Sequence, residues 1–238
     1  MLGNWRFNRN DEEVLKDMIE FIPENVLDAH AHIYRVKDLD SPSPALLSQG
    51  PDEAGIDVWR ESMVKMLGNS PQKALFMPFP AVNCNIDAAN NYLVEQLAYF
   101  SDASGTSTTG REKNLLPEYN RSIGTLHKCK GLILVAPGYV KEQALKHLKN
   151  PQIAGFKPYH VFSEHSPSFD SDIDAFVPEW VWETANERSL VIMLHIVKDG
   201  ALNDAENQKQ IREKCMRYPA MKLILAHAGR GFQVETVA

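Results

Sequence analysis

The sequence predicts an α/β domain built on a mostly parallel sheet, and three observations lead there. Six apolar runs have strand length: Val26 to Tyr34, Lys73 to Val82, Gly131 to Ala136, Ile153 to Val161, Leu190 to His195 and Met221 to His227. Several are continuous instead of alternating, as in strands covered on both faces. Stretches of helical spacing separate most of them, long enough for right-handed βαβ crossovers. Finally, histidines stand at the carboxyl ends of the first, fifth and sixth runs.

Taken in order, Asn10 or Asp11 can cap a helix running to Ile22. Its apolar stripe is Val14, Met18, Ile19 and Ile22, Glu12 and Glu13 favour its amino end, and Pro23 closes it. The first strand follows. Residues 35–55 are rich in Pro, Ser and Asp and have no periodicity, so they form either a lid or a merely mobile loop. A helix spans Ile56 to Leu67, with Ile56, Trp59, Met63, Met66 and Leu67 on its packing side. The second strand centres on Ala74 to Met77, and Asn85 caps a helix from Ile86 to Phe100. Ser101 to Lys113 is a polar loop, and Leu115 to His127 is ambiguous, with one helix around Glu118 to Thr125. The remaining helices are Val140 to Leu148, Pro178 to Arg188 with Trp180 and Trp182 as packing residues, and Asp204 to Arg217. A loop from Ser163 to Asp174 follows the fourth strand.

A parallel sheet can close in two ways, as an open doubly wound sheet or as a barrel. No Gly-x-Gly-x-x-Gly follows any strand and no phosphate-binding loop with Lys-Ser or Lys-Thr is present, so the nucleotide-binding open sheets lose support. The barrel gains it, because the candidate site residues gather at the carboxyl ends of strands, the rim where barrel active sites are built.

Composition sets the outer bounds. A chain of 238 residues suits a single domain, residues 1–238, since α/β barrels run to about 250 residues. With 44% hydrophobic and 24% charged residues, neither disorder nor a fibrous class is suggested. The net charge of -6 speaks against non-specific nucleic-acid binding. No apolar run approaches the roughly 18 residues of a membrane span, and Met1 to Asp17 lacks the apolar core of a leader. Cys84, Cys129 and Cys215 are too scattered for a disulfide framework or a cysteine zinc site, and a cytoplasmic setting is expected. The expected partner is a small-molecule substrate, with neither nucleic acid nor membrane; self-association into a homo-oligomer stays open.

The chemistry concentrates in Val26-Leu27-Asp28-Ala29-His30-Ala31-His32-Ile33-Tyr34. Alternation puts His30 and His32 on one face of the strand, with Asp28 one step deeper. Two imidazoles so spaced can bind one metal ion without bending the backbone. Alone, a His-x-His pair arises readily by chance in a chain with eight histidines. It gains weight from His195 and His227, and from Lys157 in the fourth strand. Three or four neutral imidazoles suit a borderline divalent ion, zinc first, with manganese or another ion as alternatives. Such an ion lowers the pKa of water toward about 7 and polarises a carbonyl, which is hydrolysis chemistry.

Asp28-Ala29-His30-Ala31-His32, the strand-five His195 and the His-Ala-Gly at His227 resemble the amidohydrolase superfamily, in its amidohydrolase-related (type 2) branch. The resemblance extends over most of the chain in order and spacing. It implies a (β/α)8 TIM barrel with a mononuclear or binuclear site, in which His30, His32, His195 and His227 contact metal or substrate and His195 and His227 are catalytic. In binuclear members a strand-four lysine is carbamylated and bridges two ions. Lys157 can take that role, bind a substrate carboxylate or phosphate, or be structural. The family also places an aspartate at the end of strand eight, and no Asp follows His227. A barrel lacking its last one or two β/α units in this chain is therefore expected. Asp199, Asp204 and Glu164 are less constrained substitutes. His160 and His165 either line the pocket or lie at the surface. Arg230 either binds an anionic substrate group or forms a rim salt bridge.

The resemblance implies a metal-dependent hydrolase in which activated water attacks an amide, lactone or ester-like bond. A non-oxidative decarboxylase of the same branch uses the same ligands. A catalytically inactive barrel acting as a binding subunit is the reading from a different class.

Overall fold

Alternation along the strands decides what each face of the sheet meets. The structure, a computed structural model, describes residues 8–23, 25–39, 47, 50–67, 71, 73–102 and 129–231. Its strands are β1 (Leu27–Arg35), β2 (Glu53–Ala54), β3 (Lys73–Pro78), β4 (Lys130–Val135), β5 (Ile153–Pro158), β6 (Val191–Leu194) and β7 (Lys222–Leu225). The helices are α1 (Arg9–Ile19), α2 (Ile56–Leu67), α3 (Ile86–Asp102), α4 (Lys141–His147), α5 (Glu179–Glu187) and α6 (Ala205–Arg217). They form one sheet in the order β2-β1-β3-β4-β5-β6-β7, parallel throughout except for the antiparallel β1/β2 pair.

One face packs on the helices. Phe76, Ile133, Phe156, Ile192 and Leu194 join Trp59 of α2, Leu93 of α3 and Trp182 of α5 in the larger core. Trp180 and Trp182 thus pack as expected, with Trp180 edge-on to Phe156. The opposite face carries a smaller cluster of Met77, Leu132, Met193 and Ala226.

The sheet is rolled around this second face. β1 and β7 are five steps apart in the order, so a flat sheet would hold them about 24 Å apart at about 4.8 Å per step. Yet the rings of His30 in β1 and His227 just beyond β7 have centroids 4.9 Å apart. Curvature of the sheet, together with the turn after β7, brings them together. Of the expected barrel lacking its last one or two β/α units, the hydrogen bonding forms a mostly parallel α/β sheet; among the described residues that sheet is open, and β1 is not paired with β7.

Other boundaries differ for local reasons. Helix α1 starts earlier than expected, because Asn8 is the cap, its side chain accepting from the Asp11 N–H while Asp11 accepts from the Asn8 N–H. The segment 35–55, expected to lack structure, contributes β2, which pairs with the end of β1 at Tyr34 and Arg35. The caps at Asn85 and Asp204 stand as expected. The helix expected around Glu118 to Thr125, most of the loop from Ser101 to Lys113, and His127 lie outside the described residues. No helix among the described residues is long and apolar enough to cross a membrane.

Two register shifts set which side chains reach the concave face. In β1, Asp28 pairs with Ala74 but Ala31 pairs with Phe76, so β1 holds one extra residue. In β5, Gly131 and Leu132 of β4 face Ile153 and Gly155, again one residue extra. Ile153 and Phe156 consequently pack outward while Ala154 packs inward, and Lys157 follows with inward phase. Gly155 makes the shift possible, for its φ is 157° and a Cβ there would lie 1.8 Å from the Val191 carbonyl oxygen of β6.

Gly155→Ala should therefore cost at least about 2 kcal/mol in urea unfolding. Gly138→Ala, with nothing within 4 Å of its added methyl, should stay within about 0.5 kcal/mol. Equal effects would show that β5 accommodates the methyl by moving.

Candidate functional site

Four strands deliver the site. His30 and His32 sit on the concave face of β1, opposite in phase to Ala31 and Ile33 in the helix-side core. In β6, Met193 points inward and Leu194 outward, so His195, one residue beyond, arrives inward by simple alternation. β7 ends differently. Ala226 points inward, and His227, Ala228, Gly229 and Arg230 all adopt positive φ of 55°, 51°, 65° and 51°. This left-handed turn swings the His227 ring back over the mouth, at a cost on the order of 1–2 kcal/mol for each residue other than glycine. Backbone strain of this kind clusters at functional sites.

The result is a run of five imidazoles. The Nε2 atoms of His30 and His32 are 3.1 Å apart. The His227 ring lies 4.9 Å from His30 and 5.2 Å from His195. His160 stacks 5.2 Å from His195, delivered by a 3-10 turn, His160–Phe162, that ends β5 sooner than the sequence suggests. His32 Nδ1 lies 3.3 Å from the Pro78 carbonyl oxygen. Donating its proton there leaves Nε2 with a free lone pair, which accepts from the Nε2–H of His30.

Burial keeps these rings neutral. Desolvation, followed by the charge of Lys157, lowers the His30 pKa to about 4 and the His195 pKa to about 3. His32 falls to about 3 through desolvation and then its neighbour His30, and His160 to about 4 through desolvation and then Arg230. His227, which is exposed, is lowered too, by desolvation first. Lys157 is wholly buried, and desolvation lowers its amine to about 7.

Several polar atoms here lack a hydrogen-bond partner among the described residues: Lys157 Nζ, both ring nitrogens of His160, and His195 Nδ1. Lys157 Nζ lies 5.0 Å above the Tyr159 ring. Tyr159 also lies 4.5 Å from His195 and stacks on His160. Phe169, 58% exposed, reaches back to within 4.8 Å of His160 from the loop after β5. That loop is pinned at the rim, where the Lys198 N–H donates to the Phe169 carbonyl and the Lys198 ammonium bonds Asp172.

Of the sequence-predicted site residues, His30, His32, His195, His227, Lys157 and His160 are brought together, and Arg230 stands close enough for its charge to bear on His160, His195 and His227. His165 lies in an exposed bend after β5. Asp28 does not join the histidines as alternation suggested. The register shift in β1 turns it to the helical layer, where it accepts from Trp59 Nε1 at 2.7 Å and from the His30 backbone N–H. Asp204 is consumed as the cap of α6 and as a partner of Lys198. Tyr159 and Phe169 were not foreseen. Tyr159 had a readable signal, lying two residues from Lys157 and so on the same strand face.

As the side chains stand, no group of three or more His, Cys, Asp or Glu among the described residues is drawn together tightly enough to hold a metal ion. The donor set nonetheless fits one. Nitrogens about 2.0–2.1 Å from one ion stand about 2.9–3.4 Å apart at octahedral or tetrahedral angles, a range that includes the His30–His32 separation of 3.1 Å. The rings are neutral, as ligands must be, and His195 Nδ1 is orphaned. No protein-family model matches the chain, and no curated protein matches it. The functional reading therefore rests on this geometry.

Acid should destabilise the metal-free protein in a window set by these rings. The unfolded chain takes up protons near pH 6.5, whereas the folded imidazoles resist until about pH 4 or 3. Their stabilising effect is full above pH 6.5 and is lost as the pH falls through that window. Between pH 7 and pH 5, His195 alone should account for a loss on the order of 1–2 kcal/mol. Urea unfolding in chelator, beside His195→Gln, measures it; a midpoint unchanged by acid would contradict neutral rings.

Proposed function

We propose that the rolled sheet is six parallel strands of a (β/α)8 barrel of the amidohydrolase superfamily, type 2 branch, and that the chain is a metal-dependent hydrolase. The observation that carries this reading is the convergence of His30, His32, His195 and His227 from three distant parts of the chain onto one concave mouth. His30 and His32 would hold a divalent ion, zinc before manganese, with His195 and His227 completing the set. When bound, such an ion polarises a carbonyl oxygen and brings the pKa of water toward about 7, the chemistry that cleaves an amide, lactone or ester-like bond.

The chain's own groups do the rest. The Pro78 carbonyl fixes the His32 tautomer through Nδ1. His195 is buried with Nδ1 left to meet the substrate. His227, at the exposed mouth, is placed to exchange protons with solvent. Tyr159 and Phe169 provide apolar walls on either side of His160, and Arg230 adds positive charge to the rim.

Metal content per chain, measured by elemental mass spectrometry on protein purified without added metal or chelator, tests this directly. About one ion per chain is expected in the wild type and in the surface control His165→Ala, and its loss in His30→Ala and in His227→Ala. The same samples should hydrolyse members of a panel of lactones, amides and esters, with rates at least about 100-fold lower in the His30 and His227 variants. Release of carbon dioxide from carboxylic acids without any hydrolysis would shift the reading to a decarboxylase. Metal content indifferent to both substitutions would end it.

A further inference from the structure

Lys157 is the group the site leaves unexplained. It is completely buried, its Nζ has no hydrogen-bond partner among the described residues, and it lies 5.0 Å over the face of Tyr159. Its charge bears on all five imidazoles, His30, His32, His160, His195 and His227, so it lies within electrostatic reach of the whole cluster. Arg230 reaches only three of them.

Nothing described compensates this charge. Asp28 is the one carboxylate among the described residues whose charge is felt by any of these rings, at His30, and its oxygens are engaged by Trp59 and a backbone N–H. A desolvated ammonium without a counter-ion is strongly disfavoured. The surroundings nevertheless suit one small anion well. The rings within reach of its charge are neutral, the amine is sealed from water, and a single ammonium offers point-charge attraction to a monoanion. Phosphate recognition calls instead for several donors or a bidentate guanidinium, and among the described residues no other cation's charge registers on Lys157.

We infer that Lys157 anchors a carboxylate of the substrate, making this a site for carboxylated small molecules. The inference rests on the cluster being a substrate site, as proposed above, but not on the identity of the bond cleaved. The carboxylate takes the place of the missing counter-ion, and the flat walls of Tyr159, His160 and His195 sit beside it, so a planar acid fits best. Lys157 is on this view a substrate-binding residue and not a metal ligand.

The test uses the full chain as purified, with acetate, malonate and benzoate as probes, benzamide as the neutral match to benzoate, and inorganic phosphate as the competing anion. Calorimetry at pH 7 should show at least one carboxylate binding, with benzoate at least tenfold tighter than benzamide. Lys157→Met and Lys157→Gln should each weaken that carboxylate at least tenfold while leaving metal per chain and the unfolding midpoint close to wild type. Any of these results overturns the inference: no carboxylate binds; benzamide binds as well as benzoate, a comparison needing no variant; phosphate binds tighter than every carboxylate; or the Lys157 variants keep full carboxylate affinity. Loss of metal along with Lys157 overturns it in favour of a metal-bridging lysine. A wild type without metal but with Lys157-dependent carboxylate binding would instead strike the hydrolase reading and leave the anchor standing.

Discussion

The pleat is the constraint on which this site depends. A strand offers each residue one of two faces, and a group enters the site only if its backbone phase is right when the strand reaches the rim. Only β6 arrives in phase without help: Met193 and His195 point inward, and Leu194 and Ile196 outward. The other three strands are re-phased. An extra residue in β1 sends Asp28 to the helices while His30 and His32 stay inside. The extra residue at Gly155 brings Lys157 in, and a left-handed turn recovers His227 after β7. Bulges beside functional sites commonly re-aim side chains in this way.

Those same irregularities set the electrostatics. Had β1 kept strict alternation, the Asp28 carboxylate would lie among the rings, raising their basicity and neutralising Lys157. With Asp28 withdrawn, the mouth holds neutral imidazoles and one buried amine. A divalent ion held by these rings would repel a protonated Lys157, and an anion bound beside the amine would weaken that repulsion. The two proposals are coupled in this way: a ligand that neutralises Lys157 also lowers the cost of holding the ion.

Much of this was legible in the sequence because it follows from periodicity. The six parallel strands, the intervening helices and the inward set of His30, His32 and His195 all come from alternation and apolar runs. What escaped came from single residues that break a pattern. Asp28 was assigned to the wrong face because nothing in Leu27-Asp28-Ala29 marks a register shift. Gly155 lies in a run, Gly-Phe-Lys-Pro, that reads equally well as a regular strand. The left-handed turn at His227 and Ala228 falls on residues other than glycine, for which that conformation is uncommon, so only tertiary structure reveals it. β2, two residues long, is too short to have a period at all. The sheet's curvature was predicted only through the idea that the histidines converge, and closure is a property of strand pairing that no single run of residues encodes.

The position of Lys157 also bears on which reaction the site can favour. A buried ammonium stabilises the carboxylate it holds, through charge-assisted hydrogen bonds worth about 1.5–3 kcal/mol each. Decarboxylation moves that charge from the carboxylate oxygens onto the carbon left behind, so the same contact deepens the ground state and raises the barrier, slowing the step by about 10- to 150-fold for each such bond lost in the transition state. Hydrolysis of a different bond leaves the carboxylate intact, and the contact then persists through the transition state as binding energy that fixes the scissile group's position. With the His30–His32 pair within reach of the Lys157 charge, a carboxylate anchored as proposed would serve as a handle, and the bond that breaks would lie elsewhere on the molecule. The geometry on this account weights hydrolysis of a carboxylated lactone, amide or ester over loss of carbon dioxide.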